Sequence, residues 1–132
     1  MKSQFTQIPE MAVTSIIEKG KFRRAVILKG DLIYYSELLE TNTVVSAGFV
    51  SDGASVPQFF WNRYPPFDKY LEAAVVHDLY CVMGHEGRSP ISSKEAALVF
   101  REAMSVIGYS KWKRNVMYRA VKWFGPKFSA AK

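Results

Sequence analysis

The chain is poor in cysteine and histidine, and its last thirty residues contain no carboxylate. The single thiol, Cys81, excludes an internal disulfide framework, so folding does not depend on an oxidising compartment. Its apolar helical surroundings mark it as a buried, inert thiol rather than a nucleophile. The two histidines, His77 and His85, are eight residues apart and have no second cysteine beside them, a poor zinc set. No apolar run reaches the ~18 residues that span a bilayer, so the chain is not expected to be transmembrane. The first ten residues lack the apolar core of a signal peptide, and synthesis in the cytoplasm is expected. Phosphate-binding loops of the Walker type, nucleophile elbows and dinucleotide fingerprints are all missing from the sequence.

What is present suffices for one domain over residues 1–132. Apolar residues make up 48%, enough for a core, and disorder is not expected except at the ends. The first half reads as strands. Arg24–Lys29 and Leu32–Ser36 are β-rich runs on either side of Gly30-Asp31, which predicts a hairpin. Thr43–Val50 is a third strand, and residues 12–19 fit either a strand or a short helix. The second half reads as helices. Pro57–Trp61 could form one turn, and Pro65-Pro66 then breaks the chain. Asp68 is placed to cap a helix that runs to about Met83 and stops at Gly84. Ser92 and Glu95 fit a capping box for a second helix, with Ala97, Phe100, Met104 and Ile107 on its apolar face and Gly108 as its stop. Ser110 caps a third, with Met117, Ala120, Val121 and Phe124 on its apolar side and Gly125-Pro126 at its end. The expected class is α+β: a small antiparallel sheet followed by three helices.

Two segments carry the chemistry. Phe49–Pro57 is a Gly-centred polar loop containing Asp52, Gly53 and Ser55. Twenty residues on, His77, Asp78 and Tyr80 interrupt an otherwise apolar helix. Buried polar groups cost about 1–3 kcal/mol without partners, so this cluster is either a paired structural set or a reaction site. His77 and Asp78 point about 100° apart on a helix. In the functional reading His77 is a general base with Tyr80 as its catalytic companion, and Asp78 faces a hard cation. Asp52 and Gly53 would then add oxygen ligands, and calcium is the candidate ion. In the structural reading His77 bonds a backbone carbonyl and Asp78 ties down Ser55 or an arginine.

The charge is segregated. Residues 1–102 hold eleven basic and twelve acidic side chains, and residues 103–132 hold seven basic ones and no acidic one, giving the net +6. Lys111, Arg114, Arg119 and Lys122 make the third helix, with the tail to residue 132, a candidate surface for phospholipid, nucleic acid or an acidic protein. The bland alternative is a solvated helix face and a solubilising tail. A duplex reader is disfavoured, since Asn115 alone is available for base contacts.

The pattern Phe49-x-x-Asp52-Gly53-Ala54-Ser55-Val56-Pro57, then His77-Asp78-x-Tyr80-Cys81, resembles a family of short phage and prophage proteins, domain of unknown function 1353. Phe100, Ala103, Met104, Gly108, Tyr118, Ala120, Val121, Phe124 and Gly125 extend the likeness to roughly residues 20–125. The resemblance implies a phage or prophage origin and synthesis in a bacterial host, with incorporation in the virion as one outcome. It brings no activity. His77-Asp78-x-Tyr80 also resembles the catalytic helix of phospholipases A2, which implies a His base, an Asp that binds calcium and a carbonyl-rich loop. Those enzymes orient the His with an acidic residue on a second helix, and the phage family tends to carry one there too. Here that position is Ala97, and Glu95 lies on another face.

Three functions follow as expectations. The first is a non-catalytic virion, tail or assembly protein that binds other phage proteins through its basic helix. The second is a calcium-dependent hydrolase of lipid or other esters in the host envelope. The third is a host-takeover protein that binds a bacterial target. Ala97 weighs against the second.

Overall fold

A computed structural model of the chain describes residues 1–18, 20–51 and 71–131. The strands are β1 (Gln4–Gln7), β2 (Met11–Glu18), β3 (Lys21–Leu28), β4 (Leu32–Ser36), β5 (Thr41–Val45) and β6 (Val50–Ser51). The helices are α1 (Leu71–His85), α2 (Ser93–Ile107) and α3 (Lys111–Phe124). The α+β class read from the sequence is the observed one.

The strands form two three-stranded antiparallel sheets, ordered β1-β4-β5 and β2-β3-β6. Chain order explains both. Three long strands run side by side as a meander, and each bends once, giving its first half to one sheet and its second half to the other. The bends lie at residues 8–10, 29–31 and 46–49. Pairing continues through the corner: Lys29 N donates to Glu10 O at 2.9 Å, Gly48 N to Leu28 O at 2.8 Å and Leu28 N to Phe49 O at 3.0 Å.

Two sequence expectations are corrected here. Arg24–Lys29 and Leu32–Ser36 do not form a hairpin. Gly30-Asp31 is the corner of one bent strand, and the two runs lie in different sheets. A two-residue hairpin turn needs positive φ, which Gly30 does not adopt. Asp31 instead stitches the corner: its Oδ1 accepts Ala47 N at 2.8 Å and its carbonyl accepts Gln7 Nε2 at 2.7 Å. Thr43–Val50 is likewise not continuous. It breaks at Gly48, whose φ of +90° takes it into the left-handed region. Residues 12–19, ambiguous by pattern, fall largely in β2.

Ala73, Ala74, Val75 and Val76 are all fully buried, so the first half of α1 is covered on every side. A helix apolar all round belongs inside a fold, and α1 packs between α2 and the sheets. The capping box of α2 is present: Ser92 Oγ accepts Glu95 N at 3.2 Å and Glu95 Oε1 accepts Ser92 N at 3.1 Å. Gly108 ends α2 with φ +109°. Ser110 caps α3, and Met117, Ala120 and Val121 are buried. Phe124, expected on the same apolar side, is 63% exposed because the last turn runs past the core. The expected turn at Pro57–Trp61, the break at Pro65-Pro66 and the cap at Asp68 lie outside the described residues.

Gly84 is not the stop of α1. The helix continues to His85 and closes at Gly87, φ +73°, where Arg88 N bonds Met83 O and Gly87 N bonds Gly84 O. Gly84 has a different task. The C-terminal tail folds back over the α1–α2 connection, with Ser93 N bonded to Phe128 O at 2.9 Å and Ala131 N to Ser89 O at 2.7 Å. The Phe128 ring lies on Gly84, where a Cβ would overlap it. The tail is therefore a strap and not only a solubilising extension. Gly to Ala inside a helix ordinarily stabilises by about 0.5–1 kcal/mol. Here Gly84→Ala is expected to destabilise by about 1–2 kcal/mol, by overpacking against the ring. Denaturant melts of Gly84→Ala in a Phe128→Ala background check this, since the effect should return to a gain once the ring is gone.

Candidate functional site

The polar residues of α1 sit in its most buried stretch, at relative exposures of 3% for His77, 7% for Asp78 and 4% for Tyr80. The Ser51 hydroxyl, on β6, donates to Asp78 Oδ2. The Tyr80 hydroxyl and Thr43 Oγ1, on β5, are hydrogen-bonded at 2.5 Å. One turn of helix is thus bolted to both sheets, Asp78 to β2-β3-β6 and Tyr80 to β1-β4-β5.

His77 faces apolar and sulfur neighbours. Its ring centroid is 5.5 Å from that of Phe100, and its Nδ1 is 3.6 Å from Cys81 Sγ. Burial lowers its pKa to about 4, so the imidazole is neutral at pH 7 and is a weak base there. The Cys81 thiol is pushed up to about 12, first by burial and then by the nearby Asp78 charge. Both shifts oppose a thiolate–imidazolium pair, which leaves Cys81 a thiol at neutral pH. Burial also raises the Tyr80 hydroxyl above its ordinary value. Ala97 is fully buried on α2, and Glu95 is occupied by the capping box. Asp52, Gly53 and Ser55 lie outside the described residues. Among the described residues no cluster of three or more His, Cys, Asp or Glu is arranged to hold a metal ion.

The sequence pointed to Ser55 or an arginine as the partner of Asp78; Ser55 lies outside the described residues, and among the described ones Ser51, at the end of β6, bonds the carboxylate. Thr43 and Ser51 are both buried, a fact that the fold and not the sequence supplies. A second polar knot, anchored on the buried Tyr34, was not foreseen. The Tyr34 hydroxyl, on β4, donates to Glu102 Oε1 at 2.6 Å, and Glu102 Oε2 accepts Leu38 N at 2.9 Å. Burial, and then the Glu102 carboxylate, raise the Tyr34 hydroxyl well above its ordinary range, so it stays protonated as the donor. Glu102 also lines a cleft of about 440 Å³ with Lys2, Glu37, Arg101 and Arg114. Its signal was a second carboxylate in α2, past the capping Glu95 and next to the buried Ala103 and Met104.

The four basic residues assigned to a partner surface divide. Lys111 and Arg119 are exposed, and Lys122 is half-buried with its ammonium 5.7 Å from the Tyr118 ring centre. Arg114 turns back to the end of α2, donating to Ser105 Oγ at 3.0 Å and to Tyr109 O at 3.4 Å. Trp112 and Trp123 are exposed at 64% and 65%. Among the described residues no helix is long and apolar enough to cross a membrane.

The family model described as Protein of unknown function (DUF1353) matches residues 28–121. Two proteins of Sinorhizobium fredii (strain NBRC 101917 / NGR234) are similar. Uncharacterized protein y4jT is 37% identical over 87 residues, which is 64% of this chain and 24% of the relative. Uncharacterized protein y4iH is 36% identical over 80 residues, 59% of this chain and 31% of the relative. The chain therefore spans about a quarter to a third of the length of these curated relatives. No solved structure matches it.

Proposed function

The chain belongs to the family described as Protein of unknown function (DUF1353), and we propose that it works as a non-catalytic accessory or assembly module of phage type, docking on an anionic partner through the outer face of α3. The observation that carries this reading is the contrast between the two polar surfaces. The carboxylate of α1 is turned inward onto Ser51 and its tyrosine onto Thr43. On α3, by contrast, cations and two tryptophans stand in solvent with no acidic residue in the last thirty positions. A neutral imidazole with depressed basicity, walled in by Phe100 and Cys81, also favours a structural role for His77 over water activation. A module role fits relatives in which the matching stretch is a minor part of a longer chain.

The test is salt elution from a sulfated-polysaccharide column. Lys111→Glu, Arg119→Glu and Lys122→Glu combined should elute at much lower salt than a control with the same charge change at the exposed Lys2, Lys29 and Lys94. His77→Leu should elute with the wild type. Equal shifts for the α3 and control variants would refute α3 as the working surface.

A further inference from the structure

Resting on the reading of α3 as the docking face, we infer that its occupant is an anionic phospholipid surface, on which the helix lies flat. Trp112, Arg119 and Trp123 are spaced i, i+7 and i+11, which puts them within roughly 40° of arc on one side of the helix. That side is turned away from the buried Met117 and Val121, with the small Ala120 at the edge between the two faces. The two indoles, both nearly two-thirds exposed, are about 16 Å apart along the axis. Exposed Lys111 and Lys113 and half-buried Lys122 flank the line.

Three features select lipid over other polyanions. The face is the convex outside of one helix, whereas a single-stranded nucleic acid is held in a groove with aromatics under successive bases. Stacked bases are about 3.4 Å apart, and two indoles about 16 Å apart cannot serve neighbours. An indole has an apolar body and one N–H donor, which suits the headgroup level of a bilayer, and lysine and arginine stems beside it can lift their charges to the phosphates. The apolar content is small, so the attachment is shallow and depends on charge.

Vesicle co-sedimentation with tryptophan emission tests this, using phosphatidylglycerol–phosphatidylcholine vesicles beside pure phosphatidylcholine, a single-stranded oligonucleotide and polyglutamate. The expected result is binding to the phosphatidylglycerol vesicles alone, with a blue shift in emission. Trp112→Ala with Trp123→Ala should abolish the shift. The Lys111→Glu, Arg119→Glu, Lys122→Glu variant should lose on the order of 100-fold in vesicle affinity. All these positions lie off the buried face, so melting temperatures should stay at the wild-type value and separate lost binding from lost folding. Equal binding to phosphatidylcholine overturns the inference. Binding to the oligonucleotide or polyglutamate without vesicles overturns it too, while leaving α3 as the docking face. Undiminished vesicle binding by the charge-reversed variant sinks both.

Discussion

Between pH 7 and pH 4 the wild-type protein is expected to lose about 3 kcal/mol of stability that a His77→Leu variant retains. The fold holds the imidazole in its neutral form, because burial lowers the pKa to about 4 from an ordinary 6.5. The unfolded chain therefore binds a proton that the native chain refuses throughout that window. Stability from this group is fully present above pH 6.5 and is lost as pH falls towards 4. At about 1.36 kcal/mol per pH unit, the gap gives the figure quoted. Carboxylates titrate in the same range, so the readout is the difference between wild type and His77→Leu in denaturant melts across pH. Parallel pH profiles would show that the imidazole is not held neutral and that the packing around Phe100 and Cys81 is looser than described.

Asp78→Ala is expected to cost about 3 kcal/mol, on the order of 10 °C in Tm. The variant removes a buried acceptor and leaves the Ser51 hydroxyl, itself only 2% exposed, without the carboxylate it donates to. It also removes a tie between α1 and β6, the short strand that pairs with Val26 and Ile27 of β3. Asp78→Asn should cost less, because an amide oxygen can still accept from Ser51. Ser51→Ala combined with Asp78→Ala should cost less than the sum of the single changes. Additive losses in that cycle would refute the pair as a unit.

Much of the helical half was legible because helix ends are local. Ser92, Glu95, Gly108 and Ser110 act where their spacing places them, through bonds reaching three or four residues. Gly84 misled because a glycine within a few residues of a helix end has two uses, reversal of the chain or close approach by another segment. The second needs Phe128, forty-four residues away, to be known first. Of the strands, β3, β4 and β5 were legible as strands, β2 was ambiguous, β1 was not read at all, and the topology was not legible. Gly30-Asp31 reads as a hairpin turn until it is seen that Asp31 bonds strands on both sides of a corner. At the candidate site, His77, Asp78 and Tyr80 announced themselves as polar residues in a greasy helix. Their partners, Ser51 and Thr43, did not, because a small hydroxyl residue in a strand is common on either face. The surface of α3 was visible as charge, but only the fold separates Arg119, standing in solvent, from Arg114, drawn onto Ser105.

The account turns on Asp78 being a latch between α1 and β6 rather than a cation ligand. The most direct measurement is a thermal melt of chelator-stripped protein with and without calcium, with Asp78→Asn run in parallel. The latch predicts that calcium leaves both melting temperatures unchanged and that the variant melts several degrees lower in either condition. A calcium-specific rise in the wild type that disappears in Asp78→Asn would contradict it, and would make α1 a metal-binding helix and ester hydrolysis the activity to assay.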